Sequence, residues 1–99
     1  MLRALNHWAG SVTHADERVI RVGYTGSLAA GKWGFGSDLD LILIVDATQE
    51  EWMERARRFD ATELPVSVDL LVYTEAEWEE LSKQGRGPRP VVWIDETRG

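Results

Sequence analysis

Cysteine is missing altogether from this 99-residue chain, which excludes disulfides and thiolate-based zinc or redox centres and fits a cytoplasmic protein. Positive charge is scarce: 11 Lys and Arg stand against 17 Asp and Glu, a net charge of −6. A general nucleic-acid binder needs a basic face to displace phosphate counterions, so direct nucleic-acid binding is not expected. Long apolar runs are also absent. The longest, Leu41 to Val45, has five residues, far short of the roughly 18 that a membrane span needs. The opening residues, Met1-Leu2-Arg3-Ala4-Leu5-Asn6-His7, hold no apolar stretch ending in a small-residue cleavage site, so they do not read as a signal peptide. No internal repeat or low-complexity tract interrupts the chain. What is present is the mix of an ordinary globular domain, 43% hydrophobic and 28% charged. At this length, one domain over residues 1–99 with a single core is expected.

Leu2, Leu5, Trp8 and Val12 recur at helical spacing, so the first dozen residues read as an amphipathic helix. Val19 to Thr25 is β-branched and aromatic and predicts a strand ending at Gly26. Ser27 opens a short helix, and the glycines at 34 and 36 predict a loop. Leu39 to Val45, apolar apart from Asp40, suits a strand buried on both faces. Thr48-Gln49-Glu50-Glu51 has the form of a capping box. The helix it opens would place Trp52, Ala56 and Phe59 on one stripe, with Met53 alongside and Arg55, Arg57 and Arg58 in solvent. Val66 to Tyr73 predicts a third strand. Thr74-Glu75-Ala76-Glu77 is a second capping box, opening a helix that runs to about Lys83. Gly85 to Pro90 must be irregular, and Val91 to Ile94 is a short edge strand. The expected fold class is α/β, a single-layer mixed sheet of three to four strands flanked by helices.

Asp38, Asp40 and Asp69 stand out against that apolar background. Side chains alternate along a strand, so Asp38 and Asp40 share a face at the start of the second strand, while Asp69 interrupts the third between Val68 and Leu70. If these strands are neighbours, the three carboxylates should converge within about 4–6 Å. Two unit charges at about 4 Å repel by roughly 4 kcal/mol even at an effective dielectric of 20. A lone aspartate at a strand start is ordinarily a cap or turn residue. Three at matched depths predict a site for hard divalent cations, Mg²⁺ or Mn²⁺, which take carboxylate oxygens.

Gly26-Ser27 lies where the first strand meets the next helix, a junction whose free amides suit an anion. Glycine permits close approach of a ligand to the backbone, and the Ser27 hydroxyl adds a hydrogen bond. The stretch Gly26 to Lys32 also fits the start of a Walker A loop, G-x-x-x-x-G-K. Trp33, however, stands where that motif requires a metal-binding Ser or Thr, and the chain then enters a glycine-rich loop and a strand instead of a full helix. The P-loop assignment is therefore set aside, leaving Lys32 as a mobile phosphate contact.

The string Gly26-Ser27-x₁₀-Asp38-Leu39-Asp40, with Val68-Asp69-Leu70 in a later strand, resembles the minimal nucleotidyltransferase domains of the DNA polymerase β-like superfamily, over about Val19 to Tyr73. The resemblance implies a polymerase β-like palm fold in which Asp38 and Asp40 hold two metal ions and Asp69 completes the shell of the first. It implies that Gly26 and Ser27 bind the β- and γ-phosphates of ATP or another NTP. The implied reaction is nucleotidyl transfer to a hydroxyl with loss of pyrophosphate. Many members carry an Arg soon after the Gly-Ser; here Leu28-Ala29-Ala30-Gly31 fills that stretch, so a phosphate contact is either weakened or transferred to Lys32. A palm this small has no helical domain for the acceptor. The resemblance accordingly implies an all-helical HEPN-type partner, with this chain as the AMP-transferring antitoxin of a toxin–antitoxin pair. Two other functions fit the same residues. One is a non-catalytic nucleotide- or metal-binding module that neutralises its partner by covering it. The other is a transferase for a small aminoglycoside-like molecule, with a homo-oligomer building the acceptor pocket.

Other residues have plainer roles. His7 and His14 lie seven apart on the first helix, far from the acids, and read as surface or capping groups. Trp8, Trp33, Trp52, Trp78 and Trp93 are core or interface material; Trp33, with Phe35, is placed to shape a nucleotide pocket or pack on a partner. Glu75, Glu77, Glu79 and Glu80 read as a solvated helix face. Arg86, Arg89 and Arg98 read as a frayed or partner-docking tail.

Overall fold

The computed structural model of the chain describes residues 2–34 and 36–95. The amphipathic stripe forms α1, Leu2–Ala15, which buries Leu5, Trp8 and Ala9. It then leads into β1, Val19–Thr25, and the short α2, Gly26–Ala29. Next come β2, Leu39–Val45, and α3, Trp52–Arg55, which tightens into a 3₁₀ turn over Ala56–Arg58. The chain ends with β3, Val68–Thr74, α4, Glu75–Lys83, and β4, Val92–Asp95. The four strands form one sheet in the order β3-β2-β1-β4. β2 runs parallel to β3, and β1 is antiparallel to both β2 and β4. This is the expected mixed sheet, with the short terminal strand at its edge. Among the described residues, no helix is long and apolar enough to cross a membrane.

The two faces of the sheet are covered differently. Leu39, Leu41, Leu43 and Val45 of β2 join Val22 and Val72 in a cluster sealed by Leu5, Trp8 and Ala9 of α1. The Trp8 indole also donates to the Asp60 carbonyl at 2.8 Å, pinning the segment after the 3₁₀ turn beneath the helix. Ile42 and Ile44, equally buried, point the other way. That second face is covered by edge-to-face rings running Trp52, Tyr73, Trp78 and Trp93, with centroids 5.0, 5.2 and 5.4 Å apart. Arg21 and Arg55 each place a guanidinium over a terminal tryptophan of the chain. Gly23 sits directly under the Trp93 ring, where any Cβ would collide with it.

Three local expectations need correction. Thr48 does not cap α3: its hydroxyl accepts from the Glu50 amide two residues on, and the cap residue Glu51 makes no side-chain capping bond. With its first turn unsupported, the helix lasts one turn, and Trp52 is left 42% exposed rather than on a buried stripe. The Met53 side chain lies outside the described residues. Arg55 is not solvated. It is buried, donates to the Val72 carbonyl at 3.1 Å and makes a two-pronged pair with Glu77 at 2.6 and 3.1 Å.

Glu77 is likewise no solvated acid. It completes the predicted capping box of α4, its carboxylate accepting from the Thr74 amide while its own amide donates to the Thr74 hydroxyl. One carboxylate thus joins α3, β3 and α4. The Arg55 hydrogen bond is the main cause that holds the Glu77 carboxyl below the usual glutamate range. Breaking a buried ion pair costs about 3–5 kcal/mol, but the Glu77 side chain is 42% exposed, which discounts that figure. We expect Glu77→Ala to lower unfolding free energy by about 2–3 kcal/mol in denaturant titrations, the lost cap included. Because the folded pKa is depressed, this contribution should be present above the free glutamate pKa and vanish as pH falls through the folded value. The variant and the native chain should therefore converge in stability toward acid pH.

Candidate active site

The parallel pairing of β2 and β3 sets Leu39 against Val68, Asp40 against Asp69 and Leu41 against Leu70. Asp40 and Asp69 are therefore directly opposed on one face, with backbones about 4.8 Å apart as neighbouring strands require. On the other side, Asp40 is opposite Thr25 of β1. Thr25, Asp40 and Asp69 thus form a row across three strands, on the face that carries the aromatic rings. The apolar partners above and below them fix this row, because Leu39, Leu41 and Val72 must all point into the α1-side core.

Asp40 is half-buried, whereas Asp38 and Asp69 are exposed. Burial is the main cause that raises the Asp40 carboxyl above the usual aspartate range; the charges of Asp69 and then Asp38 push it further. Asp38 and Asp69 are thus both close enough to act on Asp40. The tighter convergence expected from the sequence is not reached: among the described residues, no three His, Cys, Asp or Glu side chains stand together at metal-ligand spacing. Like charges with access to water relax toward it, and Asp38, one residue before β2, and Asp69 both have that access.

Gly26 is pressed against the same carboxylate. Its φ of +70° is in the left-handed region, and a Cβ there would overlap Asp40 Oδ2 and lie 3.1 Å from Cγ. The turn from β1 into α2 therefore passes directly over the half-buried acid, with Ser27 next in line. α2 is a single turn, closed by bonds from the Ala30 amide to the Gly26 carbonyl and from the Lys32 amide to the Ser27 carbonyl. The Lys32 side chain is exposed beside this turn.

One feature escaped the sequence and another was only partly legible through Trp33. Thr25 Oγ1 donates to the Pro90 carbonyl at 2.6 Å, fastening the Gly85–Pro90 segment to the strand end beside Asp40; no spacing in the sequence links these two residues, 65 positions apart. The second is a pocket of about 610 Å³ lined by Trp33, Gly34, Gly36, Ser37, Asp38, Val66 and Ser67. Its lining comes from two segments far apart in sequence, so only the β2–β3 pairing reveals it. His7 and His14 stay remote on α1, His7 facing Glu63 at 4.0 Å. Arg89 bonds the Gly85 carbonyl within its own turn, and Phe35 and Arg98 lie outside the described residues.

Comparison with known proteins agrees with this layout. A family model described as nucleotidyltransferase domain matches residues 10–96. A crystal structure of a Sulfolobus solfataricus protein assigned as a nucleotidyltransferase superposes with a TM-score of 0.76 and 18% identity, covering 98% of this chain and 81% of that one. At that identity the likeness speaks for the fold. Comparison with curated proteins returns no match. With the matched region spanning the Gly26 turn and all three aspartates, the chain belongs to the nucleotidyltransferase domain family.

Proposed function

We propose that this chain is a cytoplasmic, metal-dependent nucleotidyltransferase that moves AMP from ATP to a hydroxyl on an all-helical HEPN-type partner, as the antitoxin of a two-component pair. The observation that carries the catalytic part is the opposition of Asp40 and Asp69 beneath the side-chain-free turn at Gly26. The choice of AMP, and of the helical partner, is supported by the likeness of Gly26-Ser27-x₁₀-Asp38-Leu39-Asp40 to the minimal nucleotidyltransferases.

The residues present suit hard divalent ions. All donors are carboxylate oxygens, and Asp40 is held in a place where its own charge is disfavoured, a cost that a cation would offset. Asp38 and Asp40 would hold two Mg²⁺ or Mn²⁺ ions and Asp69 would complete the shell of one, the two exposed acids turning inward by side-chain rotation. Such ions, when bound, stabilise charge on the entering and departing oxygens of an in-line phosphoryl displacement. Gly26 and Ser27 would receive the β- and γ-phosphates, the glycine because nothing projects from it and the serine through its hydroxyl. Lys32, mobile and charged, would neutralise part of the triphosphate. The acceptor hydroxyl gives up its proton to water as its oxygen bonds to the α-phosphorus, the bond from that phosphorus to the β-phosphate oxygen breaks, and pyrophosphate departs.

The test is to purify the chain with the protein encoded by the adjacent reading frame and supply α-labelled ATP and Mg²⁺. Label should appear on the partner and be lost with Asp38→Ala. An unlabelled partner would overturn transfer to it. An Asp38→Ala/Asp40→Ala protein that still silences the partner would favour neutralisation by binding alone.

A further inference from the structure

We infer that the pocket beside Asp38 receives the nucleobase of the substrate, with the Trp33 indole as its stacking platform. This rests on the nucleotidyltransferase reading above. The pocket is continuous with the site, because Asp38 belongs to both. Asp38 lies two residues before Asp40, so a nucleotide with its α-phosphate at the aspartates can place its nucleoside in this pocket. Its volume of about 610 Å³ lies within the ordinary range for small-molecule sites and accommodates a nucleoside.

The lining has the chemistry of a base slot. Trp33 offers the largest flat π surface near the site, while Gly34 and Gly36 carry no side chain and nothing lies within 4 Å of a Cβ built on either. Val66 supplies an apolar wall, and Ser37 and Ser67 supply hydroxyls at its margin. The slot is also held in shape. The Ser37 amide donates to the Gly34 carbonyl at 3.0 Å, and the Gly34 amide donates to Ser37 Oγ at 3.1 Å. The Leu39 amide donates to the Ser67 carbonyl at 2.9 Å, joining the two walls. Trp33 itself is partly buried against the core cluster, which restricts its ring before any ligand arrives. The Lys32 amide bond to Ser27 ties the platform to the phosphate turn at 2.8 Å. Stacking on such a ring is worth more for the larger purines than for pyrimidines, so ATP and GTP should bind more tightly than CTP and UTP.

The test compares ATP with inorganic tripolyphosphate, both with Mg²⁺, by calorimetry on the native chain and on Trp33→Leu, which keeps an apolar side chain against the core but removes the π face. Native protein should bind ATP more tightly than tripolyphosphate. Trp33→Leu should lose about ten-fold in ATP affinity and leave tripolyphosphate unchanged, while Trp33→Phe restores most of the loss. Thermal unfolding without ligand checks that each variant is folded; should Trp33→Leu fail to fold, Trp33→Phe and the purine-to-pyrimidine ratio on native protein decide the matter. Equal ATP affinity in native and Trp33→Leu protein would overturn the inference. So would equal losses for ATP and tripolyphosphate, which would mark Trp33 as a support for the phosphate turn. Native protein that binds neither ligand would instead bring down the underlying nucleotidyltransferase reading, and this inference with it.

Discussion

Asparagine at position 40 is expected to reduce nucleotidyl transfer by at least about 10³-fold while leaving the fold as stable as before or more so. The side chains are nearly isosteric, so packing against the Gly26 turn survives, but the oxygen charge that would bind a cation is gone. Losing about 4 kcal/mol of transition-state stabilisation corresponds to three orders of magnitude in rate. The stability half follows from the raised pKa of Asp40, whose largest cause is burial. A carboxyl with a raised folded pKa binds its proton more tightly in the native state, so its contribution to stability declines as pH rises through that value. Above that value the native chain bears a charge that it would be more stable without. Asp40→Asn should unfold at the same or a higher temperature in the absence of ligand, while Mg²⁺, which should raise the melting temperature of the native chain, should lose much of its effect. A marked drop in the ligand-free melting temperature would show that Asp40 is a structural acid.

Alanine at position 26 should be nearly as damaging to transfer, by a different route. At φ +70° an L-residue costs about 1–2 kcal/mol, and the new methyl would occupy the place of Asp40 Oδ2. The carboxylate can escape by swinging away, so the loss of stability should stay near that backbone cost, visible in denaturant titration. Transfer and Mg²⁺-ATP binding should fall about as far as in Asp40→Asn, since the acid is displaced instead of neutralised. The decisive measurement is the double variant. Because both changes disable one contact, Gly26→Ala/Asp40→Asn should be little worse in transfer than either single variant. Simple additivity would show that Gly26 and Asp40 act independently.

The elements with strong periodicity were legible in the sequence: α1 from its Leu5 and Trp8 spacing, the strands from their β-branched runs, and α4 from the Thr74–Glu77 box. The candidate acids were legible because Asp40 and Asp69 each break an apolar strand, an expense that a core element does not bear without cause. What could not be read was whatever depended on distant partners. Thr48 had the right residue three positions before Glu51, yet its hydroxyl found the nearer Glu50 amide. Arg55 looked like its solvated neighbours Arg57 and Arg58 until Glu77, 22 residues later, was folded against it. The pocket beneath Trp33 needed the β2–β3 pairing to bring Val66 and Ser67 alongside Asp38. Even the acid cluster was only half visible: the sequence predicts proximity, while exposure decides that Asp38 and Asp69 face solvent and Asp40 does not.

The pairing of Asp40 with Asp69 has a consequence for how the chain assembles itself. Parallel strands joined by a long crossover are slow to find each other, and apolar segments such as Leu70-Leu71-Val72 could dock against β2 one position out of step with little immediate cost. In such a misalignment the side chain of Asp69 would be driven toward the oily interior under α1, where an unpaired carboxylate is strongly penalised. The acid proposed to complete a metal shell in the finished protein is thus expected to act during folding as an error check, disfavouring odd-numbered slips of β3 before the sheet can close.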